Sequence, residues 1–375
     1  MVAIMDPDRI RDKFAAARCE LNAVLVDRDE EIDLALTALI AKEHLLLVGP
    51  PGCAKSMLLE SLLSWIGGRR FSALLTRFSV PEELFGPVSL AGLKEDRYVR
   101  VTAGKLPEAD FVFLDEIFKG SSAIVNTLLK ILNERTFDVG DGVVRPVPLK
   151  LCVAASNEWP APETAKELAA MFDRFVVRQT VAPIRTHDGR TRLLWSPSHA
   201  PAFKDRLDPS ELERASRDAA GLPWTNDARE ALETVLRDLV KEGIRPGDRR
   251  QVKTVAVVRA FAYLHGADRV LPEHLEVATK CLWDDPLEQP EVVARVVAKI
   301  ANPPGMRINQ LLMEAEQILN DADPRDLAKA ASAAAKLGEV DRRLGELAVQ
   351  PKAAKVRSYV RDQIKKLGLA SIAAV

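Results

Sequence analysis

The chain is poor in the residues from which metal and redox centres are built. Its four cysteines (Cys19, Cys53, Cys152 and Cys281) lie far apart with no C-x-x-C pair, which excludes a zinc ribbon and a dithiol centre and reads as reduced thiols. The five histidines form neither H-E-x-x-H nor a pair four residues apart, so a metalloprotease reading is dropped. No apolar run approaches the roughly 20 residues that a bilayer requires; HLLLV and DFVFLD, among the longest, are of strand length. The opening MVAIMDPDRIRDKF meets charge before any apolar h-region develops, so the cytoplasm is the expected location. An excess of one charge is missing too. Lys+Arg 53 against Asp+Glu 54 leaves a formal net charge of -1, which predicts no dominant pull toward nucleic acid or anionic lipid. No repeat of fixed period and no long low-complexity tract is visible.

What is present is an ordinary globular balance, 47% hydrophobic and 29% charged over 375 residues, enough at about 150 residues per domain for two to three domains with real cores. Helical spacing runs over 8–28 and 30–42, after which the period changes. HLLLV (44–48), ended by Gly-Pro-Pro-Gly, has the profile of a strand buried on both faces of a parallel sheet. Further strand candidates at 71–75, 111–114 and 150–155 alternate with helical stretches at 56–66 and 124–133, which implies an α/β layer fold. Past Thr186 the strand signals stop. The stretch THDGRTRLLWSPSHAPAF reads as an extended connector, and helices are expected at 209–220, 226–240, 249–265 and 272–282. A Pro-Pro-Gly break at 303–305 precedes an Ala-, Leu-, Lys- and Glu-rich helical stretch interrupted at Pro324 and Pro351. The expected division is an N-terminal helix or linker (1–29), an αβα core (30–186), a connector (187–208), a helical lid (209–302) and a helical extension (303–375). The extension reads either as an interaction arm or as helices packed on the lid.

Between a buried strand and a helix lies Gly49-Pro50-Pro51-Gly52-Cys53-Ala54-Lys55-Ser56, followed by Met57. This is where a phosphate-binding loop must sit, because its backbone N–H groups and the next helix N-terminus point at one locus. There Lys55 would contact the β- and γ-phosphates of ATP and the Ser56 hydroxyl would coordinate Mg²⁺. Ala54 replaces the last glycine of G-x-x-x-x-G-K-[ST], a change that a small Cβ tolerates better than a branched one. Cys53 is near enough to Lys55 for a reactive thiol, or is simply a small residue that fits. Farther on, Phe111-Val112-Phe113-Leu114-Asp115-Glu116 ends a buried strand in two carboxylates, a Walker B pattern in which Asp115 would hold the Mg²⁺ shell and Glu116 polarise the attacking water. A third strand runs into Ser156-Asn157, whose amide either orients that water or is an ordinary turn residue.

The ordered set GPPGCAKS, FVFLDE, AASNE, MFDRF and PGDRR resembles an AAA+ ATPase, and in particular the MoxR family and its RavA-type branch, over about residues 20 to 285. TRFSVPEELFGPVSL is similar to that family's insert after the second strand, and Ala before the lysine is typical of the branch. The resemblance implies an α/β AAA+ P-loop core with parallel sheet, an all-helical lid, ATP and Mg²⁺ as cofactors, and a homohexameric ring. By the same likeness Arg174 in MFDRF is an arginine finger for the next subunit and Arg249 the sensor 2 residue, with Arg250 as its alternative; each is otherwise a surface ion pair. The hairpin expected around Gly140-Asp141-Gly142 and the insert at 85–101 would face the pore or ring surface and grip a client, or serve as packing elements. Family members commonly work with a von Willebrand factor A (vWA) domain protein. The RavA type carries in addition a β-rich domain for which residues 303–375 are too few. The function so implied is Mg²⁺-dependent ATP hydrolysis driving chaperone-like remodelling of protein clients. Two rivals stand beside it, a DNA-directed AAA+ motor or loader, disfavoured by the balanced charge, and a nucleotide-gated assembly scaffold.

Overall fold

The structure, a computed structural model, describes residues 7–140, 142–160, 170–184, 186–196, 199–320, 322, 327–347 and 351–373. Strands β1 (Leu45–Val48), β2 (Arg70–Leu74), β3 (Phe111–Asp115), β6 (Leu151–Ser156) and β7 (Val177–Thr180) form one sheet in the order β2-β3-β6-β1-β7, all parallel. A separate antiparallel hairpin pairs β4 (Thr136–Gly140) with β5 (Val143–Pro146).

The inner strands are continuous apolar runs because both of their faces are covered. Successive side chains alternate between two cores, as the strand period of two requires. Leu45, Leu47, Phe111, Phe113, Leu151 and Val153 enter one cluster, while Leu46, Val48, Val112, Leu114, Cys152 and Ala154 enter the other. On the first face lie α1 (Pro7–Val24), α2 (Asp29–Ala41) and α3 (Lys55–Trp65), together with lid residues such as Leu212, Val257 and Val293. On the second lies α6 (Ser122–Glu134), after the short α4 (Pro81–Phe85) and α5 (Leu90–Leu93). The edge strand β2 alternates exposed and half-buried residues. Helix α1 is more than a linker, since Phe14 is buried edge-on against Trp65 with ring centroids 5.1 Å apart.

The structure departs from the expectations in several places. The connector is not extended throughout: His187–Trp195 is a helix, α7, capped by Thr186, whose hydroxyl accepts the Gly189 N–H at 3.0 Å. Only its second half runs extended, where Leu207 pairs beside Ile66. A fifth strand, β7, escaped notice because its four residues Val-Arg-Gln-Thr carry two buried polar side chains. The breaks expected at Pro303 and Pro351 are present, each proline being the first residue of a new helix, which suits a residue with no N–H to lose at a first helical position.

The lid contains α8 (Pro209–Ala220), α9 (Asn226–Lys241), α10 (Asp248–Leu264), a 3₁₀ segment (Pro272–Lys280) where an α-helix was expected, and α11 (Gln289–Ala301). Beyond it α12 (Pro303–Asn320), α13 (Leu327–Glu346) and α14 (Pro351–Ala373) enclose their own core of Ile308, Leu311, Leu337, Val340, Val356 and Val360. Pro324, read as an interruption, and Asp141 of the hairpin turn lie outside the described residues. No helix among the described residues is long and apolar enough to cross a membrane.

At the amino-terminal edge of the sheet His44 is buried. Its Nδ1 accepts the Cys152 N–H at 3.1 Å and its Nε2 faces the Leu132 carbonyl at 3.0 Å, with the Arg135 guanidinium against the same nitrogen. Burial first, and the nearby Arg135 charge second, hold its pKa well below the ordinary value. The unfolded state therefore binds the extra proton first. This contribution is complete above about pH 6.5 and is lost as pH falls below it, by up to about 1.4 kcal/mol per unit. Neighbouring Glu43, whose carboxyl burial raises, contributes with the opposite sign. Thermal melts between pH 8 and 5 should thus show a loss of stability that His44→Gln flattens; an equal slope in both proteins would refute the assignment.

Candidate functional site

β1 delivers Gly49 to a close crossing of chains. A Cβ on Gly49 would meet the Val181 carbonyl oxygen at 2.1 Å, so glycine is required there by contact rather than by φ. Two residues of the loop that follows are left-handed, Gly52 at φ 81° and Ala54 at φ 62°. The missing motif glycine is therefore missing at a position that favours one, and alanine bears roughly 1 kcal/mol of backbone strain there. The turn leads into the start of α3, where Ser56 and Met57 are exposed and Lys55 is buried.

Lys55 draws the three motifs together. Its Nζ donates to the Gly49 carbonyl at 2.5 Å, to the Pro50 carbonyl at 3.0 Å and to Asn157 Oδ1 at 3.1 Å. The Asn157 amide in turn donates to Glu116 Oε1. Glu116 also faces Lys119 at 3.3 Å, and its N–H donates to Asp115 Oδ1 at 2.9 Å. Burial lowers the Lys55 pKa, opposed by the loop thiol and by Asp115 and Glu116. Glu116 is left-handed at φ 53°, a sparsely populated conformation for a residue with a Cβ and of a kind concentrated at functional sites. Beside it opens a cleft of about 680 Å³ lined by Arg77, Phe118, Lys119, Ser156 and Trp159.

These residues fit a nucleotide with Mg²⁺. The loop N–H groups and the buried ammonium suit a polyphosphate, and the Ser56 hydroxyl with the Asp115 carboxylate gives a hard, oxygen-only donor pair of the kind Mg²⁺ takes alongside substrate oxygens. Among the described residues no group of three His, Cys, Asp or Glu side chains is placed to hold a metal ion. Cys53 is buried at 5% exposure, in keeping with its plainer reading as a small packing residue.

The arginines lie elsewhere. Arg174 precedes the amino-terminal end of β7, whereas Lys55, Glu116 and Asn157 follow the carboxyl ends of β1, β3 and β6. Its Nη1 donates to Asp173 at 2.9 Å, and among the described residues its buried Nε finds no hydrogen-bond partner. Arg249 joins the same aspartate at 3.9 Å and donates to Asn133, far from the phosphate loop of its own chain. Arg250 is 3% exposed and reaches the Cys281 and Trp283 carbonyls, both at 3.2 Å, Asp284 at 2.9 Å and the same Asp173 at 3.4 Å, a buried brace. Of the two, Arg249 is the one able to reach outward.

One loop contact comes from a residue that no sequence motif marks, at the junction of the first two helices. Arg28 is buried and donates to three carbonyls, Cys53 at 3.2 Å, Asp27 at 2.7 Å and Ala182 at 2.9 Å. It ties the phosphate loop to the α1–α2 junction and to the exit of β7. Arg28→Ala should raise KM for ATP about tenfold, one charged hydrogen bond's worth, with a smaller change in kcat; steady-state kinetics showing an unchanged KM would sink the idea. The hairpin and the insert also prove to be one unit. Arg100 N–H donates to Val139 O at 2.8 Å, and Gly140 packs so closely on Tyr98 that a Cβ would meet its carbonyl oxygen at 1.7 Å.

Comparison with known proteins agrees with this geometry. Residues 12–199 match the family described as the MoxR domain in the MoxR-vWA-beta-propeller ternary systems, and residues 228–297 match an AAA lid domain. That description does not name the RavA-type branch. The uncharacterized protein MJ0812 of Methanocaldococcus jannaschii is 39% identical over 76% of this chain and 75% of its own. Chaperone MoxR1 of Mycobacterium tuberculosis is 25% identical over 76% of this chain and 81% of its own. A crystal structure from Cytophaga hutchinsonii, described as a candidate ATPase, superposes with a TM-score of 0.64 over 78% of this chain and 96% of its own, at 16% identity, and so speaks for the fold. With a family match over half its length and a parallel-sheet core under a helical lid, the chain belongs to the MoxR family of AAA+ ATPases.

Proposed function

We propose that the chain hydrolyses ATP in a Mg²⁺-dependent way as a ring, probed in each subunit by its neighbour's arginines, and uses the cycle to remodel protein clients with a vWA-domain partner. The observation that carries this is the split of the machinery. The link Lys55–Asn157–Glu116 follows the carboxyl ends of β1, β3 and β6, whereas Arg174, which with Arg249 faces Asp173, precedes the amino end of β7. A subunit so built holds the groups that bind ATP and activate water but cannot bring its own arginines to them. Two subunits meeting edge to edge can, and the cleft beside Glu116 offers room for an incoming guanidinium.

In that site Lys55 exchanges its loop carbonyls for phosphate oxygens. The Glu116 carboxylate takes a proton from the water whose oxygen attacks the γ-phosphorus, as the bond to the bridging oxygen breaks and ADP leaves with the electron pair. Asn157 orients Glu116 and the water. Ser56 and Asp115 would hold Mg²⁺, which when bound offsets charge on the phosphoryl oxygens. Arg174, and Arg249 beside it, answer the same charge from the neighbour. The vWA partner follows from the description of the matched family, and the joined insert and hairpin, with Leu90, Tyr98, Val143 and Val144 exposed, form the surface for a client.

Phosphate release tests the reading. Turnover should need Mg²⁺, rise more than in proportion to protein concentration as rings assemble, and ignore single- or double-stranded DNA. Stimulation by DNA would favour the DNA-directed motor, and turnover strictly proportional to concentration across the assembly range would remove the shared site.

A further inference from the structure

Three aromatic side chains stand two residues from the three groups that act on phosphate. Phe118 follows Glu116, Trp159 follows Asn157 and Phe172 precedes Arg174. In the fold they meet. Phe172 stacks on Phe118 with centroids 5.2 Å apart at 28°, and on Trp159 at 6.0 Å and 24°; Trp159 meets Trp283 of the lid edge-on at 5.7 Å and 79°. Behind Phe172 the buried Arg178 donates to the carbonyls of Phe172 and Phe175, both at 2.8 Å, and of Trp283 at 2.6 Å. Its guanidinium lies 5.6 Å from the Phe172 ring centre and 4.9 Å from that of Trp283. Arg174 is thus carried on a short segment pinned at both ends by one arginine.

The sheet offers no such direct route. β1 separates β6 from β7, and β6 and β1 separate β3 from β7. Yet a displacement at Glu116 or Asn157 is to be expected in each cycle. Asn157 Oδ1 accepts from Lys55, and a polyphosphate competes for that ammonium. Packed interiors pass such shifts on instead of absorbing them. We infer that Trp159 and Phe172 are positioning residues that tie each subunit's Arg174 to that subunit's own Glu116–Asn157 pair, so that the finger offered to the next site is set by the nucleotide held in its own. The inference rests on the proposed role of Arg174 in trans.

Mixed rings test it. Subunits carrying Glu116→Gln keep ATP and Arg174 and serve as donors; subunits carrying Arg174→Ala keep a complete phosphate site and serve as acceptors. Phe172→Ala placed on the donor should cut the recovered phosphate release by up to roughly 10²-fold, the scale of a misplacement of about 1 Å. The same substitution on the acceptor, where there is no Arg174 to position and only the packing beside its own Glu116 and Asn157 is disturbed, should cost roughly tenfold less than on the donor, and the turnover that remains also shows that the variant folds. Phe172→Tyr on the donor, which retains the flat ring, should keep most of the rate. An equal loss from donor and acceptor, or none from either, overturns the relay. If unmodified donors and acceptors recover nothing when mixed, Arg174 does not act in trans and the relay falls with that reading.

Discussion

Glu116→Gln is expected to bind ATP as the unmodified protein does and to release phosphate roughly 10²- to 10⁴-fold more slowly, the span over which a positioned general base contributes. The geometry makes this a clean substitution. Asn157 donates its amide to Glu116 Oε1, and a glutamine keeps an oxygen that accepts there, so the link from Lys55 through Asn157 survives while the proton acceptor is lost. Lys119, 3.3 Å from the carboxylate, loses its charge partner at a half-exposed position, where an ion pair contributes little. Nucleotide binding by equilibrium titration and phosphate release by single turnover separate the two effects, and near-normal release would remove Glu116 from the reaction. The variant also distinguishes a motor from a nucleotide-gated scaffold. A ring trapped with ATP that keeps full biological function favours the scaffold, and lost function favours the motor.

Arg174→Ala should lower kcat by about 10³-fold or more, the usual cost of removing an arginine finger, while each subunit's affinity for ATP changes little. The reason is positional, since Arg174 precedes the amino end of β7 and the phosphate loop follows the carboxyl end of the neighbouring β1. Among the described residues its Nε has no partner and its guanidinium pairs with Asp173 alone, which leaves a donor with capacity for phosphoryl oxygens. Arg174→Lys should recover little, because an ammonium cannot present the planar fork of a guanidinium. Mixing Arg174→Ala with Glu116→Gln subunits should restore phosphate release from shared sites. Two inactive proteins that stay inactive at every ratio would count against a site built between subunits.

The phosphate site was legible because its chemistry is local. A buried strand, a glycine turn and a helix carry Gly49 to Ser56 in one stretch, and two more strands end in Asp115-Glu116 and Asn157. Strand burial gives continuous apolar runs, so β1, β3 and β6 were visible to within a residue or two. β7 was not, because Arg178 and Gln179 read as surface residues until the carbonyls of Phe172, Phe175 and Trp283 are brought around the guanidinium. Arg28 escaped for the same reason, its partners being three backbone oxygens that no side-chain pattern announces. The helix in the connector was masked by the polar run His-Asp-Gly-Arg-Thr-Arg, whose start is fixed by a Thr186 cap and by Asp27 accepting the Thr186 hydroxyl at 2.6 Å.

The sequence by itself determined that this is an αβα nucleotide-site architecture with a helical lid, because strand and helix periods and the loop chemistry are properties of contiguous residues. It also marked Arg174 and Arg249 through their likeness to a family pattern. Only the tertiary structure decided that Arg174, Arg249 and the buried Arg250 all face Asp173 at the strand ends opposite Lys55, and that Phe118, Trp159 and Phe172 form one stack. Those facts depend on which strand ends share an edge of the sheet and on how the lid packs against it, and these are long-range packing choices that no window of sequence contains.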